Sequence, residues 1–310
     1  MTLQNPLTLA GGQKIDRAGV WDISMAQYHS DICAGPSVSS SGLRTIWAQS
    51  PAHYFWTSPY NPHPPELQDR PHFSLGRAAH HLLFLGRKGF DDEFVTRPDQ
   101  WRDWRTKDSQ LWREAMLAAG KTIITDVELE HITGMARSLA AHPLVKAGIL
   151  DGYVERSLIW KDAATGAWLK SRPDCIPTDS GDFSDLKTTT SVATEDLRRT
   201  LGAFGYHVQA GLTAMACREV LGRDLQSFSL VFVEKAPPYC VRVVTLKPAD
   251  VELGMQQAAV AAETFATCGQ SGRWPGPGGE QQDAEFMDLP EWSRKAAADR
   301  LAIYELEHAA

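Results

Sequence analysis

Three strand-like runs between residues 154 and 188 constrain this chain more than any other feature. Residues 154–160 and 168–176 have strand character, and Asp162-Ala163-Ala164-Thr165-Gly166 turns the chain between them. A second turn at 177–181 leads into 183–188, so the spacing predicts an antiparallel meander. Ahead of it, Ser39-Ser40-Ser41 offers an N-cap for a helix through Leu43, Ile46 and Trp47, and 57–72, rich in Pro and His, reads as a loop. Residues 76–85 read as a helix with His80 and His81 near its middle, and 107–119 and 126–140 have helical apolar spacing. Residues 1–38 read as irregular. After the meander come helices at about 193–201 and 204–221, strands at 227–234 and 239–246, and a helix from about 248 to 267. A Gly- and Pro-rich loop over 269–282 and a helix over 292–308 close the chain. This order predicts an α/β fold, a mixed central sheet flanked by helices, with a largely helical N-terminal half.

On the meander lie Arg172-Pro173-Asp174 and, after ten residues, Asp185-Leu186-Lys187. Period-two alternation puts Asp185 and Lys187 on one face of the third strand, with Leu186 pointing into the core. Asp174 ends the preceding strand, so a short turn brings two carboxylates and an ammonium to one patch. Hard carboxylate oxygens suit Mg²⁺, with Mn²⁺ as a substitute. Such an ion polarises a phosphodiester and acidifies a bound water. A compact ammonium such as Lys187 can orient that water and stabilise the charge that develops.

Glu155, at the start of the first run, is either a further carboxylate of this patch or an exposed charge at a strand edge. His80 sits on an apolar helix, either as a ligand or as a hydrogen-bonded core histidine; His81 beside it faces another direction. Tyr206 and Gln209 lie one turn apart on the following helix and can reach the patch. Lys170 and Arg172 are in phase with Asp174 and are expected to line the same cleft. Trp101-Arg102-Asp103-Trp104-Arg105-Thr106-Lys107 interleaves rings with bases, as a DNA-contacting segment or as the start of an amphipathic helix with Trp in the core.

Together these segments resemble the nuclease domain of the RecE (exodeoxyribonuclease VIII) family, in the RecB-like branch of the PD-(D/E)XK superfamily. Ser39 to Leu43, Ser50-Pro51-Ala52-His53-Tyr54, Gly76-Arg77-Ala78-Ala79-His80 and Glu155 to Trp160 carry the resemblance. So do Arg172-Pro173-Asp174, Asp185-Leu186-Lys187-Thr188-Thr189, Tyr206-His207-Val208-Gln209 and Leu289-Pro290-Glu291-Trp292. It implies a nuclease domain over 28–295, an arm over 1–27 and a helical tail over 296–310. It also implies that His80, Asp174, Asp185 and the Leu186 carbonyl bind the metal and that Lys187 is the catalytic lysine. Glu155 would sit beside the metal, and Gln209 would position DNA or the lysine. Arg102, Arg105, Lys107, Arg172 and Tyr206 are the DNA-contacting candidates.

The implied activity is exonucleolytic digestion of linear double-stranded DNA ends, 5′ to 3′, by a ring-shaped homo-oligomer, a tetramer in the family. Its implied partner is a single-strand annealing protein of the RecT type, in phage-type recombination. An endonuclease on the same carboxylates and a non-catalytic DNA-binding ring are the alternatives. One departure stands out: relatives carry Gln-x-x-x-Tyr after the lysine strand, but here Gln209 is followed by Thr213. The net charge of −7 fits DNA binding if only a channel is positive. Cys33, Cys175, Cys217, Cys240 and Cys268 form no C-x-x-C pair, which argues against a zinc or iron–sulfur site. With no apolar run near the roughly 20 residues of a membrane span and no signal-peptide pattern, a cytoplasmic location is expected.

Overall fold

In a computed structural model, described over residues 5–65, 71–279 and 284–308 (excluding the side chains of 71–74), twelve strands are seen. They are β1 (Leu7–Thr8), β2 (Gly19–Asp22), β3 (Ser37–Ser39), β4 (Phe94–Thr96), β5 (Thr122–Ile124) and β6 (Tyr153–Val154). Then come β7 (Ser157–Lys161), β8 (Trp168–Ser171), β9 (Cys175–Ile176), β10 (Asp182–Thr189), β11 (Ser227–Glu234) and β12 (Val241–Thr245). The helices are α1 (Met25–His29), α2 (Ser40–Ala48), α3 (Pro51–Thr57), α4 (Pro71–Phe84), α5 (Gly86–Glu93) and α6 (Lys107–Ala118). They continue as α7 (Asp126–Ala141), α8 (Pro143–Lys146), α9 (Thr194–Ala203), α10 (Tyr206–Ala216), α11 (Pro248–Ser271) and α12 (Glu291–His308). A π-helical turn, Cys217–Leu221, extends α10. Residues Met1–Trp274 form one unit and Pro275–Ala310, with α12, another.

One sheet runs β12-β11-β10-β9-β6, a second β1-β2-β7-β8-β3, and β4 pairs with β5. β11 is central because its sequence, SFSLVFVE, is apolar on both faces, with six consecutive residues buried. Phe228, Leu230 and Phe232 enter a core with Val208 and Leu212 of α10 and Phe265 of α11. Val231 and Val233 enter the opposite core with Ile132, Met135 and Leu139 of α7 and Ala78 and Ala79 of α4. Helices thus cover both faces of this mixed sheet, as the element order predicts. β10 pairs parallel with β11 through a crossover containing α9 and α10, and β11 pairs antiparallel with β12. Gly211 of α10 and Gly254 of α11 meet backbone to backbone, where a Cβ on either would collide with the other helix. That close approach fixes the depth of α10 and hence of Gln209.

The meander is more divided than its sequence suggests. The run 154–160 splits at Glu155, so β6 joins the β10 sheet while β7 joins the other. The run 168–176 splits in the same way at Arg172-Pro173-Asp174, with β8 and β9 in different sheets. Pro173 has no N–H for a ladder, so pairing stops there. The two changes of sheet are held together by the Glu155 N–H, which donates to the Asp174 carbonyl at 3.0 Å. Residues 5–38 are also more regular than expected: β1, β2 and β3 join β7 and β8 in strands of two to four residues, too short to show a period. α4 begins at Pro71, inside the expected loop, and α11 runs on to Ser271, where Gly272 caps it with φ of 70°. The expected 269–282 loop falls partly outside the described residues. No described helix is long and apolar enough to cross a membrane.

Candidate active site

β9 ends where β10 still has half its length to run, leaving the edge of β10 open beyond Ser184, the residue paired with Cys175. Asp174 takes the missing partner's place: its Oδ2 accepts the Leu186 N–H at 2.6 Å. A strand residue sends its N–H and C=O to the same edge, so the Leu186 carbonyl also faces this opening. Its side chain packs in the α4–α7 core. Asp185 and Lys187 accordingly share the other face, towards α10. The Lys187 ammonium pairs with Asp185 Oδ2, and Gln209 Nε2 donates to Asp185 Oδ1 at 2.9 Å. The Tyr206 ring lies 5.0 Å from the Lys187 ammonium.

From α4, His80 reaches the same point, with Nε2 3.2 Å from Asp174 Oδ1 and Nδ1 3.3 Å from Glu155 Oε1. Phe84, one turn on, backs its ring at 4.4 Å. Glu155 holds φ of 53°, unusual for a residue with a side chain, and its Oε2 lies 3.5 Å from Arg172. The structure thus gathers His80, Glu155, Asp174, Asp185, Leu186, Lys187, Tyr206 and Gln209 around one strand edge.

Other residues fall elsewhere. Arg172 has a side chain only 7% exposed, donating to Ile23 O at 2.8 Å and Ser157 Oγ at 3.1 Å, so it anchors Glu155 and offers no free guanidinium to DNA. Lys170 does not line the cleft: it is buried, donating to the Tyr28 carbonyl at 2.6 Å. The break at Pro173 resets the alternation that put it in phase with Asp174. Arg102, Arg105 and Lys107 are exposed, before and at the start of α6. Sequence reasoning missed His81, whose Nε2 stands 3.7 Å from Glu93 and 3.8 Å from Glu155. Thr213 is buried; it donates to the Gln209 carbonyl at 2.9 Å and lies 3.0 Å from the Ser171 hydroxyl, tying α10 to β8.

The electrostatics separate the two aspartates. Burial and the neighbouring Asp174 charge outweigh Lys187 and raise the Asp185 pKa. For Asp174, burial pushes upward, but His80, Lys187 and the Leu186 N–H overcome it and lower the value. Burial opposes charge on His80, yet Asp174, Glu155 and Asp185 hold its pKa above the ordinary value. Burial opposes the Lys187 charge as well, but Asp185 and Asp174 raise its pKa.

His80 Nε2 and Asp185 Oδ2 are buried and make no hydrogen bond, being held only by their ion pairs. Among the described residues no three His, Cys, Asp or Glu side chains are already arranged to hold a metal ion. The donor set nevertheless fits a divalent cation: one imidazole nitrogen, two carboxylates and a strand-edge carbonyl. A cation there would replace the ammonium and imidazolium as the counter-charge of the two aspartates.

A family model described as "PDDEXK-like domain of unknown function (DUF3799)" matches residues 39–285. The chain belongs to this family. The match takes in His80, Glu155, Asp174, Asp185, Lys187 and Gln209. No curated protein matches the sequence. Among solved structures, the chain is similar to the crystal structure of a candidate exonuclease from Eubacterium rectale, with a TM-score of 0.58 and 11% identity. The similarity covers 86% of this chain and 91% of the other, and shows a shared fold.

Proposed function

We propose that this protein is a metal-dependent exonuclease that degrades linear double-stranded DNA. The observation that carries the reading is the convergence of Asp174, Asp185, Lys187 and His80 on the open edge of β10. Membership of a PDDEXK-like family and the likeness to a candidate exonuclease support it. The resemblance to the RecE family adds the finer terms: 5′-to-3′ polarity, a ring-shaped homo-oligomer, and a RecT-type annealing partner that receives the single strand.

Mg²⁺, or Mn²⁺ in its place, would be held by His80, Asp174, Asp185 and the Leu186 carbonyl. When bound, the ion supplies positive charge to the scissile phosphate and acidifies its water. Lys187 orients the attacking water and offsets the charge that builds on the phosphate oxygens. Gln209 holds the Asp185 carboxylate in one orientation, and the Tyr206 ring confines the ammonium. Glu155, fixed by Arg172, holds His80 from its Nδ1 side and so keeps Nε2 aimed at Asp174.

Linear and covalently closed plasmid incubated with Mg²⁺, with and without EDTA, test the reading. Metal-dependent loss of linear DNA alone is expected, together with an inactive Asp185→Ala variant. Loss of both forms would replace the exonuclease by an endonuclease. An inert wild type, or an active Asp185→Ala, would overturn the catalytic assignment.

A further inference from the structure

Between Arg97 and Lys121 this acidic chain turns locally basic, with six Lys and Arg against four Asp and Glu. The same segment carries three tryptophans that belong to no described core cluster and are only half-buried. Trp104 and Trp112 stack at 6.1 Å with their planes 11° apart, and Trp101 tilts against Trp112 at 5.6 Å. Guanidinium groups lie on this pile: Arg97 is 5.9 Å and Arg113 5.7 Å from the Trp104 ring centre. A guanidinium flat on an indole keeps its edge N–H groups free to donate to a phosphate. Arg102 and Arg105 add exposed charge, with Arg105 89% exposed beside Asp103.

This pile is wired to the active site. Glu93 meets His81 at 3.7 Å, the Phe94 ring packs on the His81 ring at 5.6 Å, and β4 runs from Phe94 directly towards Arg97. At about 3.3 Å per strand residue, Arg97 lies roughly 10 Å beyond Phe94.

We propose that the Trp101–Trp104–Trp112 pile, with Arg97 and Arg113, is a docking surface for single-stranded DNA. The strand must be single because indole faces stack on bases that have left a duplex, whereas paired bases expose only their edges in the grooves. The surface gives the unpaired strand beside the cutting centre a place to go. The proposal rests on the nuclease reading for its substrate class.

Fluorescence anisotropy in EDTA tests it, using labelled oligothymidylates of 5 and 15 nucleotides and a 15-base-pair duplex with wild type, Trp104→Ala and Arg113→Glu. Arg113 is exposed and belongs to no buried cluster, so its replacement spares the core. Each variant is expected to bind both oligothymidylates about tenfold or more weakly, in line with the worth of a base–aromatic stack, with a smaller loss for the duplex. Unchanged 15-mer affinity in Arg113→Glu, or an equal loss for duplex and single strand, would overturn the surface. Because no metal is present, binding is read apart from cleavage. Intact binding with no plasmid degradation would sink only the exonuclease reading; degradation without platform-dependent binding would sink only the surface.

Discussion

Replacing Lys187 by Met removes a charge while keeping an unbranched stem, and the site dictates how the loss distributes with pH. Asp185 is 1% exposed, and its oxygens are covered by the Lys187 ammonium and the Gln209 amide. Removing one partner of a buried pair costs about 3–5 kcal/mol if the other stays charged. Asp185 has an alternative. Burial, with Asp174 beside it, already holds its pKa above 3.8, and loss of the ammonium pushes it further up. The folded variant therefore binds a proton that the unfolded chain does not, and its stability falls as pH rises through that window, by at most about 1.36 kcal/mol per unit. Lys187 contributes no slope of its own here: its pKa is raised, so its stabilisation is complete below 10.5 and is lost only above. Urea unfolding in EDTA at pH 5 and pH 8 measures the difference. The variant should lose little at pH 5 and about 2–4 kcal/mol at pH 8, and its nuclease rate should fall about 100-fold or more. A loss of equal size at both pH values, or none at either, would refute the idea that Lys187 holds the charge of Asp185.

A divalent cation needs the neutral imidazole, whereas the His80 pKa is raised above 6.5, so metal binding should release about one proton near pH 6.5. The sign follows: the His80 pairing stabilises the metal-free protein fully below 6.5 and fades as pH rises through the folded value, so metal affinity should climb over the same range. Calorimetry in two buffers of different ionisation enthalpy checks this, and a proton count unchanged in His80→Asn would exclude His80 as a ligand. Thr213→Val strips the Ser171 hydroxyl of its buried partner and should cost about 1–3 kcal/mol in urea unfolding. It should leave more nuclease activity than Gln209→Ala, and the reverse order would give Thr213 a direct part in the site.

Much of the site was legible because two short-range rules sufficed. Alternation along 183–188 gave Asp185 and Lys187 one face and Leu186 the other. The helical spacing of Tyr206 and Gln209 put both side chains over that face, and the structure has them touching Lys187 and Asp185. What alternation cannot encode is the sheet to which a strand belongs. Residues 168–176 look like one strand, yet Ser171 and Cys175 pair in different sheets, which displaces Lys170 from the cleft and buries Arg172. His81 was misjudged for a related reason. Its helical direction does differ from that of His80, but Glu155 stands at the junction of the sheets, within reach of both rings.

That junction also explains why an acidic side chain occupies a backbone position that favours glycine. A non-glycine residue at φ of 53° costs about 1–3 kcal/mol and persists only where its surroundings over-determine it. At Glu155 they do: the N–H is spent on Asp174, one carboxylate oxygen faces Arg172 and the other lies between His80 and His81. The interactions that hold the strained turn are those that aim His80 at Asp174. Arg172 is therefore buried as an anchor of Glu155, its guanidinium spent on Ile23, Ser157 and Glu155 inside the junction.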